Sequence, residues 1–435
     1  MIAGLSVVLA WAMTIAASCS AHSTRDHWYR ITIGGSPCGY VHETFFQSDD
    51  RIRSESMERL RVDRGGAIVE LSQSTIFEED LRGTPLAAMV RVETGGDPVV
   101  HDYVFSDGMP LERIDAARPA RVPVVSGRDS WLTPGEVRTF LQARIGADAA
   151  RIHYRTVDPF DRMKTIGIEM TRLGVEEHEV LGRRLLLSRW RVSSEGSSLS
   201  TEELRSEDGI LVSSVADVGL GMMKLELVDR ETALAALGAP PPELLESTLL
   251  PVANMIGRTD EAVTAGYRVV FETEQPWTLP DCGAQQVRLL PCGAFEVTID
   301  AASGSPATAE ELADPGLRSA SSYIDIDDPD MLEFFQARDS DPAASPLERC
   351  ERLRLLVARR ISNKTFGVAF GSASDACRSR SGDCTEHAVL LAAGFRIAGL
   401  PARVATGLVH APATGFEHGA FAWHMWTQVL VDGVW

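Results

Sequence analysis

The chain has 435 residues, more than one ordinary hydrophobic core accommodates, so two or three domains are expected. Its composition is that of a folded globular protein, 44% hydrophobic and 24% charged, with no low-complexity tract. A formal net charge of −19 argues against nucleic acid as a partner, because phosphate binding needs a basic face.

Residues 2–17 form an apolar run that leads into Ala16-Ala17-Ser18-Cys19-Ser20-Ala21. A spanning helix needs ~20 apolar residues, so the run reads as the hydrophobic region of a secretory signal over residues 1–21. An A-x-A-like cleavage site ending at Ala21 and a lipoprotein-type site before Cys19 both fit the residues. An uncleaved N-terminal anchor is the third alternative. The expectation is an exported protein of the periplasm or cell envelope; membrane attachment would follow only from an uncleaved signal or from a lipid on Cys19.

Residues 26–236 read as a β-rich domain. Period-two runs at 29–33, 51–64 and 67–77 are punctuated by Gly34-Gly35 and Gly65-Gly66, the pattern of an antiparallel meander. One helix interrupts it. Thr133-Pro134-Gly135-Glu136 is a capping box with proline at the first helical position, opening a helix to about Arg144. Strands resume from Ile152 and run on to Val228. His42, His101, His153 and His178 are scattered and read as surface or packed residues rather than ligands.

Ala239-Pro240-Pro241-Pro242 reads as a linker. Residues 243–315 read as a small β-rich module with strands at 266–273, 285–290 and 294–299, then a loop over 303–315. Cys282 and Cys292 flank a strand–turn–strand pattern and would bridge in an oxidising compartment. Seven cysteines leave at least one free thiol. The absence of a CxxC pair argues against a structural zinc site.

The last part of the chain carries helix signals. Asp328-Pro329 opens a short helix, and the acidic cluster over 325–330 reads as that helix N-terminus rather than a calcium loop. Ser345-Pro346-Leu347-Glu348 is a capping box for a helix to about Ile361. In Ser381-Gly382-Asp383-Cys384-Thr385-Glu386-His387-Ala388, Asp383 is a helix N-cap with Glu386 as its reciprocal carboxylate. Cys384 then sits in the first turn of a helix to about Ile397, where unpaired N–H groups and the positive end of the macrodipole favour a thiolate. Gly399-Leu400-Pro401 stops that helix. Strands follow at 402–409 and 420–431, with Asp432-Gly433 as a hairpin turn. The second strand carries Trp423-His424-Met425-Trp426, with Trp423 and Trp426 on opposite faces. On spacing alone, Cys384 is a nucleophile or a small apolar residue at a helix end, and His424 is the base if the two meet. His387 reads more simply as a helix-surface histidine, and Arg403 as structural.

These motifs resemble the core of the bacterial transglutaminase-like family. Gly382-Asp383-Cys384-Thr385-Glu386-His387-Ala388, Ala398-Gly399-Leu400-Pro401-Ala402-Arg403-Val404, His424-Met425-Trp426 and Val431-Asp432-Gly433-Val434-Trp435 carry the likeness, over about residues 320–435. Residues 366–380 also resemble bacterial members with β-rich N-terminal regions. The resemblance implies an α+β chain: a papain-like transglutaminase core with a Cys-His-Asp triad, preceded by the largely antiparallel β region. It implies Cys384 as nucleophile and His424 as base, acting on a protein or peptide amide by acyl transfer or hydrolysis. Nothing in the residues themselves points to a metal or organic cofactor. The family's W-x-x-x-D pattern would put the triad carboxylate about four positions beyond Trp435. The core is therefore expected to be C-terminally incomplete, either as a piece of a longer protein or as a shorter, impaired one. The alternative function is a non-catalytic envelope protein that binds peptides or acts as a scaffold.

Overall fold

The computed structural model describes residues 23–94, 98–115, 118–121, 131–160, 163–195, 197, 199–218, 221–254, 263–271, 278–281, 283–300, 304–321, 323–336, 344–368, 371–412 and 415–435. The signal region, Cys19 and Cys282 lie outside the described residues. The chain divides into two units, Met1–Thr248 with Thr365–Gly371, and Leu249–Lys364 with Ser372–Trp435.

The first unit holds a fourteen-stranded antiparallel sheet. Its first strand, Ser23–Ile33, pairs with Ser36–Gln47 on one side and with the last strand, Met222–Val228, on the other. Alternation decides the faces. Tyr29, Ile31 and Ile33 are buried together with Val41, Leu60 and Val69. Gly34-Gly35 and Gly65-Gly66 all have positive φ, as two-residue hairpins of matching twist require. Helix α1 (Pro134–Gly146) opens on the Thr133–Glu136 capping box and buries Leu141 and Ile145 against Ile152, Met170 and Trp190. Helix α2 (Arg230–Ala235) is capped by Asp229. Residues 239–242 run against the sheet: the Asp63 N–H donates to the Pro242 carbonyl, and the Leu244 N–H to the Asp63 carbonyl. Two of the histidines of this unit pair locally, His101 with Glu112 at 2.6 Å and His178 with Glu176 at 3.0 Å.

The second unit contains α3 (Ala309–Ala313), α4 (Pro329–Gln336), α5 (Pro346–Arg360), α6 (Ala373–Ser379) and α7 (Cys384–Ile397). One three-stranded sheet places Phe295–Asp300 between Thr264–Val269 and Gln285–Leu289. Another places Ala420–Val429 between Leu250–Pro251 and Ala402–Ala411. Its core gathers Met331, Phe335, Leu353, Val357, Leu390 and Phe395. Helix α7 lies at the centre of that core, which explains its apolar composition on several faces. Gly394 permits the α4 contact: a Cβ there would come 2.5 Å from the Phe335 ring.

Taken together, the chain is α+β, a largely antiparallel β region followed by a mixed region in which the helices concentrate. Among the described residues no helix is long and apolar enough to cross a membrane. One local expectation is corrected, and one helix appears where none was assigned. Residues 303–315, expected as a loop, include α3, opened by a Thr308–Glu311 capping box. Residues 373–379, given no structure from sequence, form α6 behind a Ser372 cap.

Candidate active site

The motif around Cys384 is a folded helix cap. The Asp383 carboxylate accepts from the Thr385 N–H at 2.8 Å, and the Asp383 N–H donates to Glu386 Oε2 at 2.8 Å. Glu386 is fully buried by this arrangement. Gly382 makes it possible. Its φ is +153°, and a Cβ would collide with the Glu386 side chain folded over it. The sequence Gly-Asp-Cys-Thr-Glu thus fixes the first turn of α7, with Cys384 as its first residue and partly buried. A thiolate at that place is favoured by the positive end of the helix.

Helix α7 is held at both ends. Arg396, in its last turn, donates to the Ala402 carbonyl from Nε at 3.1 Å and from Nη2 at 2.8 Å, and to the Ser319 carbonyl from Nη1 at 2.6 Å. Burial lowers the Arg396 pKa. These bonds tie the end of α7 to the start of the Ala402–Ala411 strand. Toward the other end, the Thr427 hydroxyl donates to the Ala388 carbonyl at 2.9 Å, one turn from Cys384. On the same face, Val404 and Val429 pack against the helix core.

His424 lies three residues before Thr427, about 10 Å back along the strand. The pairing of Ala402–Ala411 with Ala420–Val429 runs without a register shift, so alternation puts His424 on the face opposite Thr427. That outer face carries His424, Trp426 and Gln428 beside Gly407 and Arg403. The Trp426 indole covers Gly407, where a Cβ would sit 2.7 Å away. Arg403 donates to Gln428 Oε1 at 2.8 Å and to Glu311 at 2.6 Å, and lies 3.9 Å from the Trp435 ring centre. Its expected structural role thus has a definite form. Glu311 is held down to about 2 by its bond to the Thr308 backbone, and next by Arg403. His424 is exposed and makes no hydrogen bond or ion pair with another described residue. Strand and helix therefore come together through Thr427. The imidazole of His424 is not on the helix side of its strand.

The histidine beside Cys384 is His387, and here the expectation of a plain surface residue is corrected. His387 is partly buried, and its Nδ1 lies 2.5 Å from the Asp383 carbonyl. Its Nε2 contacts the Lys364 ammonium. Burial lowers its pKa, the Asp383 carbonyl opposes this, and the Lys364 charge lowers it further. Sequence reasoning missed Lys364, because the pairing of Lys364 with Gly382 that brings it here is non-local. The acidic cluster divides. Asp328 accepts from the Asp330 and Met331 N–H groups at the start of α4, as expected. Asp325 instead accepts from the Ser374 N–H at 3.0 Å, and burial raises its pKa. Cys292 is exposed, with Arg268 donating to its sulfur at 3.4 Å.

Comparison with known proteins bears on residues 336–435, which match the model of the transglutaminase-like superfamily. Comparison with curated proteins gives no match. Among solved structures, the chain is similar to a beta-barrel-like protein of domain of unknown function DUF1849 from Brucella abortus. The identity is 14%, with 47% of this chain and 96% of that chain covered, at a TM-score of 0.37. It is also similar to a protein described as a "putative cysteine protease" from Cytophaga hutchinsonii. There the identity is 14%, with 42% of this chain and 67% of that chain covered, at a TM-score of 0.25. At these scores neither structure informs the chemistry. The match over residues 336–435 spans the Cys384 cap, α7 and the His424 strand, so this part of the chain is similar to the transglutaminase-like superfamily, and that similarity supports a thiol-dependent activity in general terms.

Proposed function

We propose that the protein is a thiol acyltransferase or hydrolase acting on protein or peptide amides, with Cys384 as nucleophile and His424 as base. The observation that carries this is the capped first turn of α7, which puts a cysteine where helix N–H groups favour both a thiolate and a developing oxyanion. The superfamily match over the same residues supports it. In the first step the Cys384 thiolate adds to a carboxamide carbon. The tetrahedral oxyanion collapses to a thioester and the amine leaves with a proton from the imidazolium. In the second step an amine or water, deprotonated by the imidazole, attacks the thioester and returns the thiolate. His424 acts only after a rearrangement that brings its side chain to the α7 side of the strand. Export to the envelope belongs to the same proposal, and N-terminal mass analysis of the mature protein tests it.

The experiment is incubation with a glutamine peptide and a labelled primary amine. Amine incorporation with ammonia release marks transfer, and release of ammonia alone marks hydrolysis. Neither product, together with a Cys384 that resists alkylation, sinks the proposal.

One observation favours a second reading. His424 faces away from α7, with the exposed Trp426 beside it, an arrangement suited to peptide binding without chemistry. On that reading Cys384→Ala keeps full peptide affinity and full biological effect.

A further inference from the structure

A cation sits on His387, in the first turn of α7, that the steps above leave unused. Only three lysines occur in the chain, Lys164, Lys224 and Lys364, and the first two belong to the other unit. Lys364 is brought to the start of α7 by a two-residue parallel pairing, Asn363 with Ser381 and Lys364 with Gly382. Paired strands lie ~4.8 Å apart, and Gly382 is two residues before Cys384. The Lys364 side chain then reaches His387 Nε2. His387 is three residues after Cys384, so the two side chains are neighbours on the helix surface.

The chemistry of this contact fixes its proton. An ammonium only donates, so the Nε2 it meets presents a lone pair, and the hydrogen is on Nδ1. That N–H donates to the Asp383 carbonyl at 2.5 Å. Both ring nitrogens are engaged, and His387 cannot take a proton from the thiol while the contact stands. It is a seat for the ammonium. Burial and the Lys364 charge both act to keep the ring neutral, as the seat requires.

We propose that Lys364, seated on His387, is a positioning residue that places a positive charge at the N-terminus of α7 and stabilises the Cys384 thiolate. This rests on Cys384 being the nucleophile, but the proposal concerns the thiol itself and can be read without turnover. Arg378, in α6, is paired with Asp328 and Asp375, and Arg380 serves as a control for an unseated cation.

The test is the rate of iodoacetamide alkylation of Cys384 against pH, quantified on the Cys384 peptide by mass spectrometry in the full chain. Wild type, Lys364→Met, Lys364→Arg, His387→Phe and Arg380→Gln are compared. Lys364→Met is expected to move the titration midpoint up by ~0.5–1 unit, a fall of about 3–10-fold in rate near neutral pH. Lys364→Arg keeps most of the wild-type profile, and His387→Phe gives part of the loss. Salt at 1 M shifts wild type toward Lys364→Met and moves that variant less, since only the screened helix dipole remains there. Lys364 is exposed, and Lys364→Gln replaces the methionine variant if that one folds poorly. A Lys364→Met profile that superimposes on wild type overturns the proposal, as does an Arg380→Gln shift of equal size. Unchanged alkylation with intact turnover removes only this proposal. A Lys364-dependent thiol with no amide product removes only the enzymatic one.

Discussion

The Thr427 hydroxyl donates to the Ala388 carbonyl at 2.9 Å, and that bond fixes which face of the Ala420–Val429 strand looks at α7. By alternation the face holds Met425 and Val429 with Thr427, and it leaves His424 outside. Two properties of the site follow different residues in consequence. The resting reactivity of Cys384 belongs to its helix cap, whereas any proton transfer by His424 needs a side-chain rearrangement. His424→Asn is therefore expected to change Cys384 alkylation by no more than about 2-fold while lowering turnover by ~10²–10⁴. Parallel alkylation and turnover assays check this. Equal losses in both would place the imidazole on the thiol already at rest.

Gly382→Ala should damage the cap. The added methyl meets the Glu386 side chain and the residue must hold a positive φ, together costing about 2–3 kcal/mol. Urea midpoints report the loss, and Cys384 alkylation near neutral pH should slow with it. Unchanged stability would mean that Glu386 swings clear and the cap is dispensable.

Arg396→Leu removes three hydrogen bonds from a buried guanidinium to the Ala402 and Ser319 carbonyls. A loss of about 3 kcal/mol is expected, since the carbonyls remain buried. Hydrogen exchange should localise the loosening to α7 and the Ala402–Ala411 strand. A uniform change across the unit would instead indicate general destabilisation.

Glu58 gives the first unit a pH dependence. Burial pushes its carboxyl up from 4.5 to about 8. Between those values the folded state keeps a proton that the unfolded state has lost, so stability falls as pH rises from about 4.5 to about 8 and then levels off. The span is ~3–5 kcal/mol. Glu58→Gln should match wild type near pH 4 and be more stable at pH 8.5. The comparison stops below pH 9 because the nearby Cys38 thiol, pushed up to about 12 by burial and then by the Glu58 charge, adds a similar slope above that. Parallel pH profiles of the two proteins would show that Glu58 is ionised in the fold.

Local rules made much of this structure legible. Capping boxes at Thr133, Ser345 and Asp383 each opened the helix expected of them, because the cap is a contact among four consecutive residues. Asp432 and Gly433 both have positive φ, as the turn signal required. The same Thr-x-x-Glu signal at Thr308 was present but hidden in a stretch rich in Ala, Ser and Pro, and α3 is only one turn long. In the site, Cys384 at a helix start followed from sequence. The side on which His424 points did not, because alternation gives relative faces and only the Thr427 contact says which face meets α7. Lys364 was illegible for a related reason: its pairing with Gly382 is parallel, and nothing in either segment announces it.

The most direct measurement of Cys384 as the nucleophile is intact mass analysis after rapid mixing with a glutamine peptide. A thioester adduct is predicted, heavier than the free chain by the peptide less ammonia. Tryptic mapping should place it on Cys384, and hydroxylamine should remove it. No adduct on the wild-type chain, or an adduct that persists in Cys384→Ala, would contradict that assignment.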